Sequence, residues 1–265
     1  MTPHLNKKNS NFVQFSDISR FYTSIPTYIH TSENIAPISE MFFSYQGEGI
    51  YAGIGQIFVR FVGCNLKCNY CDTKYSSKVN SKTKIFTSEQ LYNSIIKIYS
   101  KNKNNFYGKK PSVSFTGGEP LLYCDFLEPV VKKLKKENFE IYIETNGILF
   151  DQIKRLYKYC DVIAADIKLK SACGKNLLNQ HKQFLKISKN KVFVKIVITK
   201  NVTDKEFIEA VLTVSKISKN IKLVLQPSDF SKKTNINLIK FYNIATKYLK
   251  DVRILPQLHK IWNIK

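Results

Sequence analysis

Apolar positions along the chain switch repeatedly between two periods. Short runs rich in β-branched and aromatic residues, "QIFVRFV" ending at Val62, "SVSF", "FEIYI", "DVIAADI", "VFVKIVI", "KLVLQ" and "VRIL", are bounded by turn residues and predict strands. Between them the spacing becomes helical. In "TSEQLYNSIIKIYS" Leu91, Ile95, Ile98 and Tyr99 form one apolar stripe, and Thr87 with Gln90 makes a capping box at its start. Further helices are expected around 126 to 134, where Pro129 blurs the start, and near 150 to 159, 175 to 188, 203 to 217 and 235 to 250. Thr203 and Glu206 repeat the capping pattern. Such alternation predicts an α/β fold with a mostly parallel sheet and right-handed crossovers. Residues 1–35 carry neither period and are rich in Ser, Thr and Asn, so they are expected to form a flexible extension, with residues 36–265 as one catalytic domain.

Chemically distinctive segments gather at one end of the predicted strands. A cysteine cluster follows the first, "TGGEP" the second, "ETNG" the third and "DIK" closes the fourth; "QPSD" and "PQLHK" follow the last two. In parallel α/β sheets and barrels this is the edge where the loops share one mouth and active sites form. The pattern points to an enzyme.

Composition adds three constraints. With 265 residues and 43% hydrophobic content the chain can bury a full core. No apolar run reaches the roughly 18 to 20 residues of a membrane span, and the N-terminus lacks a secretory h-region, so a soluble, cytoplasmic protein is expected. The acid-poor arm leaves organelle targeting as an alternative. The formal charge of +22 invites a nucleic-acid reading, but the lysines are dispersed over helix faces and turns, and no nucleic-acid-binding signature accompanies them. A solvated basic surface with no nucleic-acid or membrane partner is the expectation.

Three of the six cysteines, Cys64, Cys68 and Cys71, lie in "GCNLKCNYCDT", while Cys124, Cys160 and Cys173 are scattered singly. That is not a disulfide framework. Three thiols can hold zinc if a distant residue such as His30, His181 or His259 completes the tetrahedron. They can also hold a four-iron cluster at three irons and leave the fourth open to a small molecule. Gly117 and Gly118 of "TGGEP" would let backbone approach a ligand there.

The C-x3-C-x2-C spacing with "TGGEP" resembles the radical S-adenosylmethionine superfamily. Together with "EMFFSYQGEG", "CDTKYS", "IETNG", "LVLQPSD" and "VRILPQLHK", the chain from about residue 38 onward resembles the 7-carboxy-7-deazaguanine synthase family. The resemblance implies an incomplete (β/α) barrel, a homodimer, and conversion of 6-carboxy-5,6,7,8-tetrahydropterin to 7-carboxy-7-deazaguanine with loss of ammonia, on the route to queuosine-type nucleosides. It implies a 4Fe-4S cluster on Cys64, Cys68 and Cys71, Mg2+ at Thr73, and an electron donor such as a flavodoxin or ferredoxin. By the same resemblance Tyr70, Asp72, Gly118, Asp166, Ile167, Lys168, Gln226, Pro227, Ser228 and Asp229 would bind S-adenosylmethionine, with Glu119, Glu144 and Asn146 as further contributors. Substrate would meet Tyr45, Gln46, Gly47, Glu48, Arg60, Thr116 and the terminal carboxylate of Lys265, while His259 is balanced between a substrate donor and a sheet-end support. No protein side chain is expected to act catalytically beyond the cluster and cofactor.

Arg60 has an argument of its own. It interrupts an apolar strand, and a buried guanidinium without a partner is costly, so a carboxylate ligand is expected beside it. Position 45 is Tyr where many relatives carry Leu, and the arm has no counterpart in the family pattern. Two rivals remain at this point: another small radical S-adenosylmethionine enzyme, such as a glycyl-radical activating enzyme, and a zinc-stabilised nucleic-acid-binding protein.

Overall fold

The computed structural model describes residues 34–106, 109–228 and 237–264. The expected flexible arm, except for its last two residues, lies outside that range, as do Asp229, Lys265 and the histidine at position 30.

Among the described residues one sheet holds nine strands in the order β3-β1-β2-β4-β5-β6-β7-β8-β9, and it does not close. β1 (Ile35–Tyr45) and β3 (Lys84–Thr87) are antiparallel to their neighbours. From β2 (Gly55–Phe61) through β4 (Ser112–Gly117), β5 (Glu140–Thr145), β6 (Val162–Asp166), β7 (Val192–Ile198), β8 (Leu223–Pro227) and β9 (Val252–Ile254) every pairing is parallel. The mostly parallel, incomplete barrel is therefore as expected. The two antiparallel strands are additions that the motif-rich "EMFFSY" and the short, half-exposed "KIFT" concealed.

Side chains alternate across each strand, and the two faces have different partners. Ile57, Val59, Phe61, Val113, Phe115, Ile141, Ile143, Ile163, Val194 and Ile196 point to one face and are almost wholly buried in the main core, under the helices. The opposite face carries Gln56, Phe58 and Arg60, then Ser114 and Thr116, Glu144, Asp166, Lys195 and Gln226 along successive strands. At its base Tyr142, Phe193, Ala164 and Val224 form a small apolar plug. Tyr51 packs against it, edge-on to Tyr142 at 5.8 Å and tilted against Phe193 at 6.0 Å between ring centres. Gly49, with φ of 68°, lies so close that an added Cβ would fall 2.5 Å from the Phe193 ring.

Helices α1 (Ser88–Asn102), α2 (Cys124–Lys136), α3 (Phe150–Leu156), α4 (Lys170–Cys173), α5 (Leu178–Ser188), α6 (Asp204–Ile217), α7 (Leu238–Ala245) and α8 (Leu258–Trp262) complete the chain. Both expected capping boxes form, at Thr87–Gln90 and Thr203–Glu206. Pro129 does not mark a start: α2 begins at Cys124 and runs through it. An interior proline costs about 3 kcal/mol, but Phe126, Leu127, Val130, Val131 and Leu134 are each at most 2% exposed. At ~1.5–3 kcal/mol per buried side chain their burial outweighs it. The expected helix at 175 to 188 is preceded by a separate turn, α4, which Gly174 ends with φ of 74°. No described helix is long and apolar enough to cross a membrane.

Candidate active site

At the carboxyl ends of the parallel strands the polar face opens into a cavity of about 610 Å³. The loop after β2 carries Cys64, Cys68 and Cys71, all partly buried, along its wall. Burial pushes the Cys64 thiol up to about 12 and that of Cys68 to about 11, so a metal must displace these protons to gain its thiolates. A zinc ion with bonds of about 2.3 Å would hold its sulfurs roughly 3.8 Å apart. Among the described residues only Glu48, Asp72 and His259 bring three candidate ligand atoms within 4.8 Å of one another, so at least one pair of the three thiols stands farther apart than that. His181 is no fourth ligand, contrary to one expectation. Its Nε2 accepts from the Lys168 N–H at 3.1 Å and its Nδ1 faces the Gly147 carbonyl at 3.0 Å. Burial lowers it to about 4, so it is a neutral structural bridge.

Backbone packing fixes the thiol loop. A Cβ on Gly118 would sit 1.9 Å from the Gly63 carbonyl oxygen, and one on Gly117 would sit 2.3 Å from that of Phe61. The Gly118 and Glu119 amides donate to Phe61 and Gly63 at 3.1 and 2.8 Å. These glycines thus admit the backbone that carries the cysteines, and both also line the cavity. Glu119 is also reassigned. It is wholly buried, and its carboxylate accepts from the Leu121 N–H, the Thr145 hydroxyl and the Asn146 N–H. Burial, only partly offset by these donors, lifts it to about 7. Its role is to join β4 to β5.

Among the described residues three buried acceptors on the cavity wall have no partner: Asn146 Oδ1, Asp166 Oδ1 and Gln226 Oε1. Unmade hydrogen bonds of this kind are costly, and a ligand rich in donors, with an ammonium and ribose hydroxyls, suits them. Lys168, on the same wall, pairs with Asp166 at 2.7 Å and donates to the Tyr70 hydroxyl at 3.1 Å. Gly118 and Ser228 also reach the cavity. Ile167 and Pro227 do not; they are buried away from it, and the Ile167 N–H is already given to Lys195 O.

The other half of the cavity holds the residues expected to meet substrate. Tyr45 is half exposed at the rim. Gln46 is buried and donates to both Gln56 and Glu144. Glu144, expected as a contributor to the S-adenosylmethionine site, is tied to this half instead: it accepts additionally from Ser114 and Thr116, so one carboxylate is immobilised by three side chains. Gly47 leaves room for His259, whose Nδ1 would lie 2.5 Å from any added Cβ. Arg60 is not alone: Glu40, opposite it across the β1–β2 ladder, accepts from its Nε at 2.8 Å. The cost argument for an external carboxylate is thereby met within the protein, although Arg60 still lines the cavity. Thr73 lines it too, with Oγ1 3.8 Å from Cys71 Sγ.

Sequence reasoning missed Lys195 and Gln257. Lys195 forms an ion pair with Glu48, and Gln257 donates to Glu48 Oε1 at 2.7 Å and to Asp72 Oδ2 at 2.9 Å. Burial would raise the Glu48 carboxyl, but Lys195 and Gln257 outweigh it and lower the group to about 2. The signal was present: Lys195 interrupts "VFVKIVI" as Arg60 interrupts "QIFVRFV".

A half-barrel whose strand ends bear three spread thiols and a donor-seeking cavity defines a radical S-adenosylmethionine protein, and the radical SAM superfamily model matches residues 58–214. Membership implies a four-iron cluster and S-adenosylmethionine, and the thiols and the unpaired acceptors fit both. Curated relatives similar to this chain are named 7-carboxy-7-deazaguanine synthase. That of Geobacter sulfurreducens is 32% identical over 241 residues, spanning 85% of this chain and 96% of its own. That of Archaeoglobus fulgidus is 34% identical over 239 residues, spanning 87% and 99%. The chain belongs to the 7-carboxy-7-deazaguanine synthase family. In fold it is similar to the crystal structure of QueE from Escherichia coli, with TM-score 0.57 at 23% identity, covering 87% of this chain and all (100%) of that one. Of the rival readings, neither the glycyl-radical activating enzyme nor the zinc protein is the family found.

Proposed function

We propose that this enzyme converts 6-carboxy-5,6,7,8-tetrahydropterin to 7-carboxy-7-deazaguanine. The observation that carries the substrate assignment is the Gln257 amide, which ties Glu48 of "QGEG" to Asp72 of "CDT" and so joins three separate motifs in one cavity wall. A cluster held by Cys64, Cys68 and Cys71 and carrying S-adenosylmethionine would supply radical hydrogen-abstraction chemistry, with one electron provided by a reductant. The chain's own residues bind, orient and exclude water. Glu48 and Glu144, each fixed by several donors, offer acceptors to pterin N–H groups. Arg60 turns toward the substrate carboxylate while Glu40 holds its Nε. Thr73, which lines the cavity, would offer one oxygen to Mg2+, and because one neutral oxygen makes a weak magnesium site the ion would depend on the substrate carboxylate as well. Asp229 and Lys265 are proposed contacts on the resemblance alone. A homodimer and a small one-electron donor protein complete the reading.

Arg60→Met tests the substrate half. Loss of a charge-assisted bond worth about 1.5–3 kcal/mol should raise KM for the pterin roughly 10- to 100-fold, while slow cleavage of S-adenosylmethionine without substrate continues. An unchanged KM removes Arg60 from the substrate site.

A further inference from the structure

Lys168 is a largely buried cation of the cavity wall, and it faces the thiol loop rather than the substrate half. It follows β6, and its backbone N–H is anchored on His181, which is itself anchored on Gly147. Its side chain is 13% exposed. The ammonium donates to Asp166 Oδ2 at 2.7 Å and to Tyr70 Oη at 3.1 Å, and lies 5.0 Å from the centre of the Tyr70 ring. Tyr70 stands between Cys68 and Cys71. The contacts therefore fix a cation against the segment that carries two of the three thiols.

We propose that Lys168 sets the reduction potential of the iron–sulfur cluster, as a positioned cation that stabilises the reduced state. The inference rests on the cluster reading above and goes beyond S-adenosylmethionine binding. Taking up one electron adds a negative charge to a group already held by thiolates, and nearby fixed charge is one of the levers that set cluster potentials. Partial burial keeps the interaction from being screened by water and salt. Asp166 opposes the effect, but it is the Lys168 ammonium and not the carboxylate that reaches the thiol loop, donating to Tyr70 between two of the thiols. Burial works against the charge on Lys168, but Asp166 and Tyr70 hold its pKa well above the ordinary value.

The test is a redox titration followed by electron paramagnetic resonance, on the reconstituted full-length enzyme without S-adenosylmethionine. Lys168→Met should make the cluster at least tenfold harder to reduce at a fixed poise, a shift of about 59 mV or more for one electron. Lys168→Arg should stay within about threefold of wild type. Asp166→Asn, which removes the opposing charge, should shift the potential the other way. That sign reversal is not produced by loosened packing, and it decides the matter if Lys168→Met fails to hold iron. A Met variant within twofold of wild type, or an Asp166→Asn shift in the same direction as Met, overturns the proposal. A wild-type protein that binds no cluster overturns the cluster reading together with it.

Discussion

Replacing Lys195 by Met removes one partner of a buried ion pair and leaves the other in place. Burial alone would raise the Glu48 carboxyl above 4.5, and Lys195 is the leading influence that brings it down to about 2. A displacement of that size corresponds to roughly 3 kcal/mol, in line with the ~3–5 kcal/mol found when one member of a buried pair is deleted. In the wild type the contribution of Glu48 is fully present above pH 4.5 and is lost as pH falls through about 2. In the variant the sign inverts, because a carboxyl raised by burial loses stability as pH rises past its unfolded value. The gap between the two proteins should therefore be wider at pH 8 than at pH 5. For a domain of this size about 3 kcal/mol lowers Tm by roughly 6–12 °C, measurable by circular dichroism under anaerobic conditions. Adding Glu48→Gln to Lys195→Met removes the stranded charge and should recover at least about half of the loss. A drop below about 2 °C, or strictly additive single and double variants, would refute the account of Lys195 as the partner of Glu48.

Gly118→Ala places a methyl where the Gly63 carbonyl lies, 1.9 Å away, and no side chain can yield. Iron content after reconstitution should fall by at least about tenfold even where soluble protein is recovered. The Glu119 carboxyl, raised by burial from 4.5 to about 7, binds a proton more tightly in the folded state. Wild-type stability should thus decline by up to ~3 kcal/mol as pH rises from 4.5 to 7, a slope that Glu119→Gln abolishes and that denaturant titrations across this range would detect. Thr73→Ala should make turnover respond less to added Mg2+, by about tenfold in half-saturating concentration, without changing iron content.

What could be read in the chain, and what could not, divides along local and non-local physics. Capping boxes at Thr87 and Thr203 are local and formed as expected. The position of chemistry at strand ends follows from parallel topology and needed no coordinates. Pairing across strands did need them: Glu40 gives no sign in sequence of answering Arg60, because the partnership depends on the register of a strand hidden within a motif. Gly117 and Gly118 announced a close approach, but sequence cannot say whether the approaching group is a ligand or the chain itself, and here the chain comes first. Glu119 sat within a motif and was read toward the cavity, whereas the turn that follows it directs the carboxylate inward. Lys195 was legible by the logic applied to Arg60, a lone cation in an apolar strand, and was passed over because its partner lies 147 residues away.

The central claim is tested most directly by the reaction itself. Reconstituted anaerobically with iron and sulfide, then supplied with S-adenosylmethionine, Mg2+, a reductant and 6-carboxytetrahydropterin, the enzyme should form 7-carboxy-7-deazaguanine by mass spectrometry, and a Cys68→Ala variant should form none. Cleavage of S-adenosylmethionine with the pterin left intact would contradict the substrate assignment, and a protein that binds no cluster would contradict the account at its base.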